Sequence, residues 1–231
     1  MTNAAFTGFP AATRKFLRAL AKNNHRDWFT EHKPRYESDV LEPALAFIEA
    51  MQAPIEAISP HFLVVPTRTR GSLMRIYRDL RFAKDQEPYK TNVGIQFRHE
   101  EGKDVHAPGF YVHIEPNEVF VAAGMWHPDA KALRAVRERI EAEPKVWRKI
   151  RDARGFQSKF ELAGDSLQRP PRGLDPESEV IEDLKRKDFI AVRSLPPKAV
   201  EEKQFAKEVA KGFAATEDFL RFLCEAVGVA F

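Results

Sequence analysis

The sequence predicts an α+β fold, in which a small antiparallel β-sheet is flanked by N-terminal and C-terminal helices. Apolar residues recur every three to four positions before residue 59 and again after residue 128, which is the spacing of helices with one buried face. Between these parts apolar and polar residues alternate, which is the pattern of strands. Pro116-Asn117 separates two alternating runs and is typical of a hairpin turn.

The composition is that of a globular protein. Hydrophobic residues make up 43% of the 231 residues and include 18 phenylalanines, which excludes a disordered chain. We predict a single domain over 1–231, with a helical part at 1–60, the sheet at 66–126 and a mainly helical part at 128–231. The lone cysteine, Cys224, excludes a disulfide framework and suits the reducing cytoplasm, where we expect the protein. We expect no signal peptide and no membrane span, because no leader pattern and no apolar run of ~20 residues occurs.

The first part is predicted to contain two helices and a short turn. Pro10 precedes the first helix, which is expected to end near Asn23, since asparagine tolerates a left-handed C-cap. Asp27 is expected to cap the short turn that follows. Pro34 is placed at the first position of a longer helix. Two further prolines are expected to kink or break that helix: Pro43 and Pro54.

The middle part is predicted to form strands at 72–78, 93–98, 110–115 and 119–125. These strands would make an antiparallel meander of about four strands with one face covered by helices. A further short edge strand is predicted at 189–195.

The last part is predicted to be helical from Pro128 onward, apart from that edge strand and an irregular loop at 164–173, which is rich in proline and glycine. The final helix is expected to run from Lys198 and to end at Gly228.

Positive charge is concentrated in one segment, although the net charge of the chain is only +3. The basic residues between positions 66 and 98 are Arg68, Arg70, Arg75, Arg78, Arg81, Lys84, Lys90 and Arg98. The acidic residues there are Asp79, Asp85 and Glu87. A local positive field of this kind favours one small anionic ligand over a long polyanion.

The arginine-rich segment is therefore the candidate ligand site. Arginine suits bidentate recognition of phosphate or carboxylate, and a half-buried arginine requires such a partner. We expect Arg75, Arg78 and Arg81 to hold the anion, while Asp79 orients one of them. The wall and rim of the pocket are assigned to Lys84, Tyr89, Lys90, Asn24 and Arg26. The alternative interpretation is structural, in which these charges form ion pairs that only tie a loop to the sheet.

The segment also resembles a known family. Its pattern R-x-x-R-D-x-R-F, followed by a basic turn and P-Y-K, consists of Arg75, Arg78, Asp79, Arg81, Phe82, Lys84, Asp85, Pro88, Tyr89 and Lys90. This pattern is similar to the signature of a mainly bacterial family, domain of unknown function 2461. Residues 23–29, 111–116 and 167–173 resemble it too, so the resemblance covers nearly the whole chain. Gln86 departs from the lysine that the family usually has there. The resemblance implies a fold group and no activity.

His113 and Glu115 form a second candidate group. They lie two residues apart on a predicted strand, so they point to one face together with Tyr111. Two ligands are too few for a metal, so we expect no metal and no cofactor. His113 is a candidate general base, as is Asp79. The chain has no H-E-x-x-H, Walker, G-x-G-x-x-G or G-x-S-x-G motif.

Three functions remain as hypotheses. The first is binding of a small phosphorylated or carboxylated molecule in the arginine-rich pocket. The second is an enzyme, a hydrolase or transferase, on the same class of ligand, with the arginines stabilising developing charge. The third is nucleic-acid binding, which the mild total charge makes weaker. The sequence does not determine an oligomeric state.

Overall fold

The computed structural model describes residues 6–81, 86–102 and 107–231, and the described residues form the predicted α+β fold. The N-terminal helices are α1 (Ala11–Lys22), α2 (Arg26–Glu31), α3 (Lys33–Tyr36), a π-helical turn (Glu37–Leu41), α4 (Glu42–Ala50) and α5 (Gln52–Ile58). The strands are β1 (Val93–Arg98), β2 (Gly109–Ile114), β3 (Val119–Met125), β4 (Glu161–Ala163) and β5 (Phe189–Leu195). The later helices are α6 (Ala130–Ala142), α7 (Pro144–Arg151), α8 (Arg154–Gln157), α9 (Ile181–Leu184), a 3₁₀ turn (Pro197–Glu201), α10 (Phe205–Ala214) and α11 (Glu217–Val227).

Two helix caps differ from the prediction. Asn23 does end α1, but its backbone is not left-handed (φ −137°, ψ 48°), and its side chain donates to the carbonyl of Ala19 instead. The prediction that Asp27 caps the next element is wrong. His25 is the N-cap of α2, and its ring nitrogen accepts the backbone N–H of Trp28, while Asp27 lies inside the first turn.

Pro43 disturbs the longer helix as predicted. Proline has no N–H, so the carbonyl of Asp39 loses the donor that residue 43 would supply in a regular α-helix. The backbone forms a π-helical turn just before Pro43, in which the N–H of Glu42 donates to the carbonyl of Glu37. The hydroxyl of Thr13 on α1 donates to the Asp39 carbonyl. The Asp39 carbonyl, which lacks its partner within the helix, therefore links the π-helical turn to α1.

In the described part of the chain, the sheet has five antiparallel strands in the order β1-β2-β3-β5-β4. The turn at Pro116-Asn117 joins β2 to β3 as predicted, and the N–H of Glu115 donates to the carbonyl of Glu118 across it (2.7 Å). The prediction of an edge strand at 189–195 is wrong in one respect. This segment is β5, an inner strand, because the unpredicted β4 pairs along its outer side. β4 has only three residues, too few to show an alternating pattern.

The predicted strand at 72–78 is not a strand of the sheet. It forms two isolated bridges, Leu73 with Ile95 of β1 and Tyr77 with Tyr89. The segment follows β1 as far as Met74, whose N–H donates to Gly94. It then leaves the sheet and pairs with 88–90, which divides its hydrogen bonds between two partners.

The predicted final helix is two helices. α10 and α11 are separated at residues 215–216, where the buried hydroxyl of Thr216 donates to the carbonyl of Phe213. The break lets Phe213 and Phe219 both reach the core. Gly228 ends α11 with a left-handed backbone (φ 79°), as glycine allows.

Helices cover one face of the sheet. Val112, Ile114 and Val121 point to that face and are fully or almost fully buried, and α4, α10 and α11 contact the strands there. The N-terminal and C-terminal helices meet in the same core, where the rings of Phe47 and Phe205 lie 5.5 Å apart. Within the described residues, no helix combines the length and the apolar character needed to cross a bilayer. The opposite face of the sheet lines a cavity.

Candidate functional site

Asp79 and Arg81 pair with each other at the surface. The Nε of Arg81 donates to Oδ1 of Asp79 (2.9 Å), and the backbone N–H of Arg81 donates to the same oxygen (3.1 Å). These bonds from Arg81 hold the pKa of the Asp79 carboxyl well below its usual range. Asp79 is therefore a poor proton acceptor, and the arginine that it orients is Arg81.

Arg78 is also engaged by the protein. Its Nη1 donates to the backbone carbonyl of Glu87 (3.2 Å) and lies 3.6 Å from the Glu87 carboxylate. The N–H of Arg78 donates to the carbonyl of Pro88. Arg78 thus ties the two sides of the ribbon formed by 76–78 and 88–90. The contacts of Arg78 and Arg81 are those expected if the charges of the segment only hold the loop in place.

Arg75 and Lys90 differ from these two. Neither side chain makes a hydrogen bond or an ion pair with any residue that the structure describes. Arg75 is exposed, whereas Lys90 is half-buried. Burial lowers the pKa of Lys90, and the positive charge of Arg75 lowers it further. Two cations are therefore close enough to repel each other. Among the described residues neither of them forms an ion pair, although the charge of Arg75 also helps to lower the pKa of Asp79.

Asn24 and Tyr89 anchor the ribbon to the N-terminal helices. The side-chain amide of Asn24 donates to the carbonyl of Tyr89 (2.9 Å) and accepts its N–H (3.1 Å). The ring of Tyr89 is buried and stacks on Phe29 with 4.1 Å between centroids. Burial raises the pKa of the Tyr89 hydroxyl, and nearby Tyr77 adds to the rise. The contacts of both predicted ligand residues are thus structural.

The remaining predicted rim residues are Arg26 and Lys84. The side chain of Arg26 makes no hydrogen bond or ion pair within the described ranges, but its charge acts on the Tyr89 hydroxyl. Lys84 lies outside the described residues.

A cavity of about 440 Å³ lies on the open face of the sheet. Met74 forms part of its wall, and Arg75 follows Met74 directly in the chain. Gly94 allows Met74 and Tyr111, which both line the cavity, to lie close to β1, because a Cβ there would be 2.9 Å from both the Met74 sulfur and the Tyr111 hydroxyl. The other main lining residues are Gln96, His113, Phe120, Trp126, Ile190 and Val192.

Sequence reasoning missed this cavity, although one signal for it was present. β3 and β5 carry apolar residues on both faces, for example Phe120 and Val192 on the open side. A strand that is apolar on both faces indicates that both are covered or enclose a ligand space.

His113 is held in place at the cavity wall. The hydroxyl of Tyr111 lies 3.1 Å from Nδ1 of His113, the amide nitrogen of Asn92 lies 3.4 Å from the same atom, and the ring stacks on Phe120 at 4.6 Å. Burial and the charge of Glu115 raise the pKa of the Tyr111 hydroxyl to about 12, against a hydrogen bond with Asn92 that lowers it. Tyr111 is therefore a neutral hydroxyl beside His113 at ordinary pH.

Glu118 lies beside His113 and Glu115, the two residues that the sequence predicts to share one face of a strand. One ligand atom from each of the three residues lies within 4.8 Å of the others. Nε2 of His113 is 3.2 Å from a carboxylate oxygen of Glu115. Glu118 comes into reach because it follows the Pro116-Asn117 turn, directly opposite Glu115.

Comparison with known sequences adds one match. A family model described as conserved hypothetical protein (DUF2461) matches residues 12–222, a range that includes all the candidate residues described above. This description names no activity. No curated protein matches the chain.

Proposed function

We propose, from the premise that this chain belongs to the DUF2461 family of conserved hypothetical proteins, that it binds a small organic anion. The observation that carries the proposal is the pair of cations formed by Arg75 and Lys90. Both side chains lie in the part of the chain that the structure describes, and neither forms an ion pair there, although the charge of Arg75 also acts on the Asp79 carboxyl.

The electrostatics of this pair favour an anion. A half-buried ammonium group next to a guanidinium group is destabilised both by desolvation and by repulsion between like charges. A phosphate or carboxylate between them would relieve both effects and would accept hydrogen bonds from each. Arg26 is a further cation near the same ribbon.

The cavity suggests the rest of the ligand. Arg75 is adjacent in the chain to Met74, which lines the cavity, and Lys90 is two residues before Asn92, which contacts His113. A volume of about 440 Å³ is in the range of small-molecule sites. We therefore propose that the ligand places its phosphate or carboxylate at Arg75 and Lys90, with a less polar body that extends toward the Met74 side of the cavity.

A second candidate function is an enzyme on the same ligand. It is favoured by His113, which lines the cavity and is oriented by Tyr111 and Asn92, as a general base or acid would be. Hydrolysis or group transfer would be the reaction class.

The reducing cytoplasm remains the proposed location, because the single cysteine, Cys224, is buried as a free thiol.

The test is a binding panel with inorganic phosphate, sulfate, sugar phosphates, mononucleotides, aromatic carboxylates and a short oligonucleotide. We expect a small organic anion to raise the Tm of the wild-type protein. Arg75→Ala and Lys90→Ala should each weaken its binding by about 10- to 100-fold, the effect of losing a charge-assisted hydrogen bond. Arg134→Ala is the matched control, since Arg134 is exposed and pairs with Glu138 on α6.

Binding that is unchanged in both Arg75→Ala and Lys90→Ala would refute the proposal, as would a panel in which no small anion binds. Oligonucleotide binding that falls steeply with salt, without any response to small anions, would indicate a nucleic-acid protein instead. Turnover of a bound ligand that is lost in His113→Ala, with binding retained, would establish the enzyme.

A further inference from the structure

We propose that His113, Glu115 and Glu118 form a binding site for a divalent transition-metal ion at the turn between β2 and β3. This inference goes beyond anion binding and does not depend on it.

The hairpin brings the three side chains together. His113 and Glu115 are two residues apart and so share a face, and Glu118 lies directly opposite Glu115 across the turn. One ligand atom from each side chain lies within 4.8 Å of the other two. Small rotations of the two glutamate side chains would suffice to bring all three atoms onto one ion.

The charges at the turn favour a cation. Directly opposed like charges destabilise a hairpin, yet neither Glu115 nor Glu118 forms an ion pair with a lysine or arginine in the described ranges. Two arginines contact the same turn. Arg14 and Arg18 instead donate to the backbone carbonyl of Pro116 between the two glutamates (2.8 and 3.2 Å). In the described ranges neither carboxylate therefore forms an ion pair with the arginines at this turn.

The imidazole of His113 is oriented as a metal ligand. Its Nε2 has almost no exposure to solvent and makes no hydrogen bond, although a Glu115 oxygen lies 3.2 Å away. The Glu115 oxygen is therefore close enough to Nε2 for a hydrogen bond but does not lie in the direction that such a bond requires. Two ligands bound to one tetrahedral ion at ~2.0–2.2 Å would be about 3.3 Å apart, close to this distance. With metal on Nε2, Nδ1–H would donate to the Tyr111 hydroxyl, which fixes the ring.

The donor set defines the class of metal. One imidazole nitrogen and two carboxylates suit Zn²⁺ or Mn²⁺ better than Ca²⁺ or Mg²⁺, which prefer oxygen ligands alone. Three protein ligands leave positions for water or for a ligand atom. Because His113 also lines the cavity, these open positions lie beside the space proposed for the organic anion.

The test is titration of tag-free, chelator-stripped full-length protein with Zn²⁺ and with Mn²⁺, followed by calorimetry. We expect one ion per chain, with affinity reduced at least about 10- to 100-fold in Glu118→Gln and in His113→Ala. Glu118 is exposed and its replacement is isosteric, so Glu118→Gln is expected to fold, which circular dichroism checks.

Two controls separate the site from general metal binding by histidine. His61 and Glu100 form another histidine–carboxylate pair but belong to no described three-ligand group, so His61→Ala should bind metal as the wild type does. Arg134→Ala should also keep wild-type metal affinity, since Arg134 is exposed and pairs with Glu138 on α6. Failure of the wild-type protein to bind either ion would overturn the proposal. An equal affinity in folded Glu118→Gln, or an equal loss in His61→Ala, would also overturn it.

Discussion

At the scale of single residues, some polar side chains of the charged segment have hydrogen-bond or ion-pair partners in the protein, and others have none among the described residues. The side chain of Asn24 donates a hydrogen bond to the Tyr89 carbonyl and accepts one from the Tyr89 N–H, as the backbone of a neighbouring strand would. Glu87 meets Arg78, and Asp79 meets Arg81. Arg75 and Lys90 have no such partner among the described residues. The proposed anion site therefore rests on these two basic residues, while Asn24, Arg78 and Glu87 hold the ribbon in place.

The role assigned to Asn24 predicts a loss of stability. In Asn24→Ala the N–H and carbonyl of Tyr89, a residue that is 5% exposed, lose both partners, at a cost of about 1–3 kcal/mol. Urea unfolding followed by circular dichroism measures the change. Asn24→Asp keeps the acceptor for the Tyr89 N–H but puts a carboxylate oxygen beside the Tyr89 carbonyl and the Glu87 carboxylate, so it should also be less stable than the wild type. A wild-type stability for Asn24→Ala would contradict the assignment.

At the scale of elements, β3 carries the strictest backbone requirement of the sheet. Gly124 has a φ of 127°, a region that other residues avoid, and it lies opposite Ile190 of β5. A Cβ at this position would stand 2.0 Å from the carbonyl oxygen of Phe189. The glycine thus lets β3 and β5 pair closely beside the cavity, whose wall includes both Gly124 and Ile190.

Gly124→Ala is expected to destabilise the protein by at least about 2 kcal/mol, from backbone strain and overpacking together. Gly155→Ala is the matched control, because a Cβ there meets no atom within 4 Å and the residue lies in α8. That variant should be neutral or slightly stabilising, since alanine restricts the unfolded chain. Thermal unfolding measures the Tm of both variants. Equal Tm values for Gly124→Ala and Gly155→Ala would contradict the backbone requirement at Gly124.

At the scale of the whole molecule, one core joins the chain from Phe9 to the last helix. Arg14 reinforces this connection, because it reaches Glu201 near the C-terminal helices as well as the β2–β3 turn. Three weak acids are largely buried, Tyr36 and Cys224 in this core and Tyr111 on the cavity side of the sheet. Burial raises the pKa of Tyr36, Tyr111 and Cys224 to about 12 in each case, from ordinary values of 10.0, 10.0 and 9.0.

These pKa values predict a loss of stability at high pH. Below pH 10 each tyrosine is protonated in both the folded and the unfolded state. Between pH 10 and 12 the unfolded state loses its tyrosine protons first, so the free energy of unfolding falls as pH rises, by up to ~1.4 kcal/mol per pH unit for each group.

Tyr36→Phe tests this, because the Tyr36 hydroxyl makes no hydrogen bond among the described residues. The variant should lose less stability than the wild type between pH 9.5 and pH 11.5 in urea unfolding, relative to pH 8. Identical pH dependence would contradict the raised pKa.

The sequence by itself determined the order of helices, sheet and helices, the hairpin at Pro116-Asn117 and the disturbance at Pro43. These features depend on residues that are close in the chain, whose spacing directly reflects the helix, strand or turn that they form. Only the tertiary structure decided which basic side chains have no ion-pair partner among the described residues. Asn24 meets Tyr89 across 65 positions, and Met74 and Val192 reach one cavity from distant segments. Such pairings depend on how the strands and the ribbon align in space, which local periodicity does not encode.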